Sequence, residues 1–265
     1  MSNSDPGNKK SMFREIFLEG VVKFGGEIVG VLLIAVFWYF FQDLKLWVER
    51  TEQPKDGGSK VISQQVKTPK RPAMSDAEFL ELCKTGDTAR VAEAIQNGKN
   101  VNARDNNDWT ALMVATGNGH TETVRLLLQN SADVNARDNN DGTALMLAAT
   151  FGYTEIARVL LQNGANVNAR GNNDVTALML AATLGYTENV RLLIQNGANV
   201  NAKANDSSTA LMVAASKGHT DTVRLLLQNG ADVNARYNDS WTALRMAAAN
   251  GHTDTANLLR SYGAK

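Results

Sequence analysis

The stretch DGTALMLAATFGYTEIARVLLQNGANVNARGNN, from Asp141 to Asn173, decides the fold, because nearly every position in it returns in the copies beside it. Thr110, Thr143, Thr176, Thr209 and Thr242 stand 33 residues apart, and each opens a Thr-Ala-Leu triplet. Self-similarity at a fixed period of this length marks a stacked array of small units rather than one closed core. A less regular unit starts at Asp76 and keeps Gly86, Val91, Ile95 and the Gln96–Gly98 triplet, so six repeats are read over residues 76–265.

The spacing inside one unit predicts two helices. Thr110 is a natural N-cap, its hydroxyl accepting from a free amide of the first turn, and Ala111–Thr116 is a short helix of small and apolar residues. A glycine turn follows at Gly119. The second helix, Thr121–Gln129, carries Glu122 in its first turn, where the helix dipole favours negative charge, and Val124, Leu127 and Leu128 as an apolar stripe. Most copies then read Asn-Gly-Ala, as at Asn163–Ala165, the glycine supplying the left-handed conformation that ends a helix; Ser131 replaces it once, at a modest cost. The Asp133–Asp141 segment is an extended finger, rich in Asn and Asp because those side chains tolerate left-handed turns and bond their own backbone.

No unit can cover its own stripe, so neighbours must bury it and the ends of the array must be polar. Arg260 stands where Leu227 stands one repeat earlier, and Glu81 and Glu93 take the places of Val114 and Leu126. These substitutions predict polar caps at both ends.

The pattern resembles the ankyrin-repeat family throughout residues 76–265, including its Gly-His turn at Gly119-His120, Gly218-His219 and Gly251-His252. It departs from the family by reading Thr-Ala-Leu-Met, as at Thr110–Met113, where the family prefers Thr-Pro-Leu-His, and by placing Asp108, Asp141, Asp174, Ser207 and Ser240 where the family has a finger glycine. The resemblance implies an all-α ankyrin-repeat solenoid, helix-turn-helix units with β-hairpin fingers, that binds proteins through the finger tips and first helices along a concave face. On that face the variable positions are the candidates for partner contact. Trp109 and Trp241 hold the finger site before the capping threonine, and Asn118, Phe151, Leu184 and Lys217 hold the end of the first helix. Trp109, Phe151 and Trp241 are read as exposed anchors, since aromatics dominate binding energy once desolvated. Arg245 replaces the methionine of Met113, Met146, Met179 and Met212 and adds a charged contact.

The first 75 residues have a different character. Ile28–Phe41 is an apolar run of fourteen that extends back to Val21 with only Lys23 and Glu27 charged, and Trp38 and Tyr39 sit near its end. It reaches the roughly 20 residues of a membrane span if Lys23 snorkels and Glu27 lies at the interface. The chain therefore divides into a tail over 1–20, a single transmembrane helix over 21–44, a juxtamembrane segment and flexible basic linker over 45–75, and the array over 76–265. Gly26 and Gly30 form a Gly-xxx-Gly pair that permits close helix packing and a homodimer. Lys and Arg near the span balance at four on each side, and Lys67, Lys70 and Arg71 further along lean towards a cytoplasmic array.

Catalysis has no footing in this sequence. His120, His219 and His252 share one repeat position with Tyr153 and Tyr186, and tyrosine cannot replace an imidazole as metal ligand or general base, so the position reads as structural. The single cysteine, Cys83, offers no disulfide partner and reads as a small buried side chain. Phosphate-binding loops, nucleophile elbows and clustered metal ligands do not appear, so neither cofactor nor metal is expected. Residues 76–265 hold sixteen Lys/Arg against nineteen Asp/Glu with no basic stripe, which argues against nucleic acid. Two readings stay open: a membrane-tethered adaptor or scaffold that captures a protein partner on the concave face of the array, and a structural or oligomeric membrane component with the array as spacer or regulatory domain.

Overall fold

The computed structural model describes residues 74–237 and 240–265. Their secondary structure is six helix pairs: α1 (Asp76–Thr85) and α2 (Thr88–Gln96), α3 (Ala111–Gly117) and α4 (Thr121–Gln129), α5 (Ala144–Phe151) and α6 (Thr154–Gln162), α7 (Ala177–Leu184) and α8 (Thr187–Gln195), α9 (Ala210–Ser216) and α10 (Thr220–Gln228), α11 (Ala243–Ala249) and α12 (Thr253–Ser261). The first helices pack on one another along the array and on their own second helices, and the second helices touch their neighbours more sparsely. The transmembrane reading over 21–44, the Gly26/Gly30 pair and the flanking segments lie outside the described residues. Among the described residues no helix is long and apolar enough to cross a membrane.

Each first helix starts where the sequence places its cap. The Thr110, Thr143, Thr176, Thr209 and Thr242 hydroxyls accept from the amide three residues on at 3.3–3.4 Å. Behind the cap, Leu112, Leu145, Leu178 and Leu211 are buried, as are Leu127, Leu160, Leu193 and Leu226 of the second helices. Each contributes about 1.5–3 kcal/mol relative to exposure, supplied by neighbouring repeats as well as its own. The methionines that replace the family's histidine, Met113, Met146, Met179 and Met212, are buried too, so apolar packing occupies that site.

The fingers depart from the expected hairpins. Among the described residues there is no strand, only the isolated antiparallel bridges Arg104↔Thr110 and Tyr237↔Trp241 and a 3-10 turn at Asn172–Asp174. Side-chain carboxylates take the amides a ladder would use: Asp105 Oδ1 accepts from Asn107 and Trp109, and Asp138 Oδ1 from Asn140 and Gly142, at 2.8–2.9 Å. Asp108, Asp141, Asp174 and Ser207 adopt the left-handed conformation that the family assigns to glycine, with φ of 57–65°.

What the fingers lack in strand pairing they recover between repeats. Asn135 accepts from the Asn166 amide at 2.8 Å and donates to the Gly164 carbonyl at 3.1 Å. Asn168 does the same to Asn199 and Gly197, Asn201 to Asp232 and Gly230, and Asn234 to Lys265 and Gly263. Arg104, Arg137 and Arg170 each donate to the carbonyl of the residue 33 positions later, at 2.7–3.3 Å. Finger tips join directly as well, Asn139 to Asn107, Asn172 to Asn140 and Asn205 to Asn173. The sequence reading assigned these asparagines to local turns and missed their role between repeats.

Glu81, Glu93 and Arg260 are exposed, while Leu227 is buried. Cys83 is fully buried in α1, and burial pushes its thiol up to about 12.

Two outcomes follow. Asn168→Ala removes both bonds to the next turn and should cost about 1–2 kcal/mol in urea unfolding, whereas Asn172→Ala, an exposed side chain in a finger tip, should stay within about 0.5 kcal/mol. Cys83 keeps its proton when folded and loses it near pH 9 when unfolded, so its burial favours the native state fully below pH 9, and this contribution fades as pH rises towards about 12. A thiol reagent should accordingly leave the native chain unmodified below pH 9 and react fully in denaturant.

Candidate protein-interaction surface

The outward face of the first helices follows from helical spacing. Residues four apart share a face, so Val114 lies beside Asn118, Leu147 beside Phe151, Leu180 beside Leu184 and Val213 beside Lys217. Leu147, Leu180 and Val213 are half-buried against the core, while Phe151 and Leu184 stand 47% and 45% exposed. The row is therefore apolar in the third and fourth repeats, with Asn118 on one side and Lys217 and Asn250 on the other, all three exposed.

The glycine turn beneath this row makes the centre more apolar still. In the flanking repeats a histidine ring lies over the preceding repeat's glycine and its Nε2 meets a carbonyl there: His120 with Lys84 at 2.7 Å, His219 with Thr183 at 3.0 Å and His252 with Ser216 at 3.1 Å. Since the partner is a carbonyl, Nε2 carries the proton in each case. In the third and fourth repeats Tyr153 lies over Gly119 and Tyr186 over Gly152. The Phe151 and Tyr153 rings stack at 5.8 Å, and Tyr186 is 39% exposed beside Leu184 in sequence. The triplets thus read Asn-Gly-His, Phe-Gly-Tyr, Leu-Gly-Tyr, Lys-Gly-His and Asn-Gly-His along the array.

The finger positions behave differently from the turn row. Trp109 is half-buried rather than an exposed anchor, because its ring lies along its own first helix and reaches Gly117, where a side chain would meet it. Trp241 is 45% exposed, its carbonyl accepting from the Tyr237 amide at 2.8 Å. Arg245 is exposed where the equivalent Met212 is buried, and its guanidinium donates to the Ser240 carbonyl at 2.7 Å. The finger row and the turn row lie at opposite ends of the first helices, about 10–12 Å apart for seven to eight residues. Leu147, Leu180, Tyr153 and Tyr186 belong with the candidates; the same four-residue spacing and the Phe-Gly-Tyr and Leu-Gly-Tyr triplets identify them.

Charge chemistry on this surface is sparse. Asp206, at a finger tip, is held below the usual carboxylate range by the Ser208 side chain and amide. Among the described residues no group of His, Cys, Asp and Glu could hold a metal ion.

A family model described as ankyrin repeats (3 copies) matches the chain at residues 79–171, 138–204 and 178–265. No curated protein shows significant similarity to the chain. Capped helix pairs in 33-residue register, glycine turns covered by a ring from the next repeat and family matches running to the last residue agree, and the chain belongs to the ankyrin-repeat family.

Proposed function

We propose that this chain is a membrane-tethered adaptor that captures a protein partner on the first-helix face, centred on Phe151 and Leu184. Ankyrin repeats generally mediate protein–protein interaction, and the family is typically non-enzymatic. The observation that carries the reading is the apolar centre with polar flanks. An exposed phenylalanine, leucine and tyrosine occupy two adjacent repeats, and the equivalent positions on either side are Asn, Lys and His. That arrangement suits a binding surface, in which a small apolar centre supplies most of the affinity and a polar rim excludes water. The tether rests on the sequence of Ile28–Phe41, and the basic linker that follows favours a negatively charged membrane surface and a cytoplasmic array.

The test is proximity labelling in membranes with a label fused after Lys265. The Phe151→Ala/Leu184→Ala chain should lose the proteins labelled by the parent, with affinity at least about tenfold weaker, while its unfolding midpoint stays unchanged because both side chains are exposed. An unchanged set of labelled proteins would reject the surface. A chain lacking residues 1–50 should leave the membrane fraction, and equal partitioning of the two chains would reject the tether.

A further inference from the structure

The sequence contains six Asn-Gly pairs, at Asn97, Asn118, Asn163, Asn196, Asn229 and Asn250. Such pairs are the dipeptides most open to intramolecular loss of ammonia, because glycine has no Cβ to hinder its nitrogen from reaching the asparagine side-chain carbon. All six asparagines are exposed at helix C-termini. The backbone is held alike in all of them, each glycine amide donating to the carbonyl three residues earlier at 2.9–3.1 Å or, for Gly230, likewise 3.1 Å.

The side chains differ. Asn118, Asn163, Asn196, Asn229 and Asn250 each donate Nδ2 to the carbonyl four residues earlier at 2.7–2.8 Å. That bond folds the amide back along the helix, away from the nitrogen that would attack it. Asn97 bonds through its backbone amide, to Glu93 and Ile95, and its side chain makes no such bond. The space above Gly98 is open, as it is above Gly164, Gly197, Gly230 and Gly251, whereas Gly119 is covered by the Tyr153 ring, so the free side chain of Asn97 is what sets it apart.

We propose that Asn97 is the position at which this chain deamidates in its folded state. The Gly98 nitrogen attacks Cγ of Asn97, the new N–Cγ bond closes a succinimide ring, the Cγ–Nδ2 bond breaks, and ammonia leaves with the proton from the glycine nitrogen. Water then opens the ring at either carbonyl, leaving an aspartyl or isoaspartyl residue at position 97. The product places negative charge at the C-terminal end of α2, where the helix dipole opposes it. It lies two residues from Lys99, which pairs with Asp76 and donates to the Met74 carbonyl, so the modification bears on the N-terminal capping repeat.

The test is incubation of the folded full chain in mildly alkaline buffer followed by tryptic peptide mapping, since Lys and Arg place each Asn-Gly pair in its own peptide, Val91–Lys99 for Asn97. Amide-to-acid conversion in that peptide should run about fivefold faster than in any other, the factor that one hydrogen bond of about 1 kcal/mol represents. Asn97→Gln should abolish conversion there, and in denaturant the six rates should converge. Earlier or equal conversion at another pair in the folded chain would overturn the proposal, as would the same preference for Asn97 in denaturant.

Discussion

The Asn168 side chain holds both the carbonyl of Gly197 and the amide of Asn199, and Asn135, Asn201 and Asn234 do the same one repeat apart. These groups have no partner within their own unit, just as Leu160 or Leu193 has no complete core within its own helix pair. Every repeat thus depends on its neighbours for its apolar burial and on the preceding one for its turn backbone. Stability is then a sum over interfaces, and a rule enforced at each of them fixes the 33-residue register.

That dependence explains where the sequence is constrained and where it is free. Positions facing a neighbouring repeat are nearly fixed: the capping threonines, the buried leucines and methionines, the ladder asparagines. In the sixth repeat Arg245 and Arg260 are exposed at positions where Met212 and Leu227 are buried one repeat earlier. Phe151, Leu184, Tyr153 and Tyr186 are different, because they depart from the pattern in the middle of the array. The two interfaces concerned lack the histidine-to-carbonyl bond of the flanking repeats. They also lack the threonine hydroxyl pair seen at Thr88–Thr123, Thr187–Thr222 and Thr220–Thr255, since Ile156 and Asn189 replace the second threonine. Asn189 is buried and reaches the Ala148 carbonyl instead.

Helix pairs, caps and turns were legible in the sequence because they are local: Thr143 caps its own helix, Gly152 ends it, and both recur with the period. The hairpin fingers were not, because Asp105 and Asp138 compete for the amides of the ladder, an outcome that depends on side-chain geometry. The asparagine ladder escaped for a related reason, since Asn168 satisfies local turn chemistry and contact with the next repeat equally well on paper. On the surface, variation between copies pointed to Phe151 and Leu184, which are exposed. It also proposed Trp109, which is half-buried with its ring beside Gly117 of its own first helix.

The central claim is that the apolar centre is there for a partner rather than for the stack. It is tested most directly by giving the two middle repeats the residues of their neighbours, in a chain carrying Phe151→Asn, Tyr153→His, Leu184→Lys and Tyr186→His, and measuring its urea unfolding. The account predicts a midpoint equal to or above that of the parent, because the histidines restore the carbonyl bonds made at the other interfaces and the outer two side chains are exposed. A loss of more than about 2 kcal/mol, well beyond the usual effect of surface substitutions, would show that these residues hold the array together and would contradict the assignment.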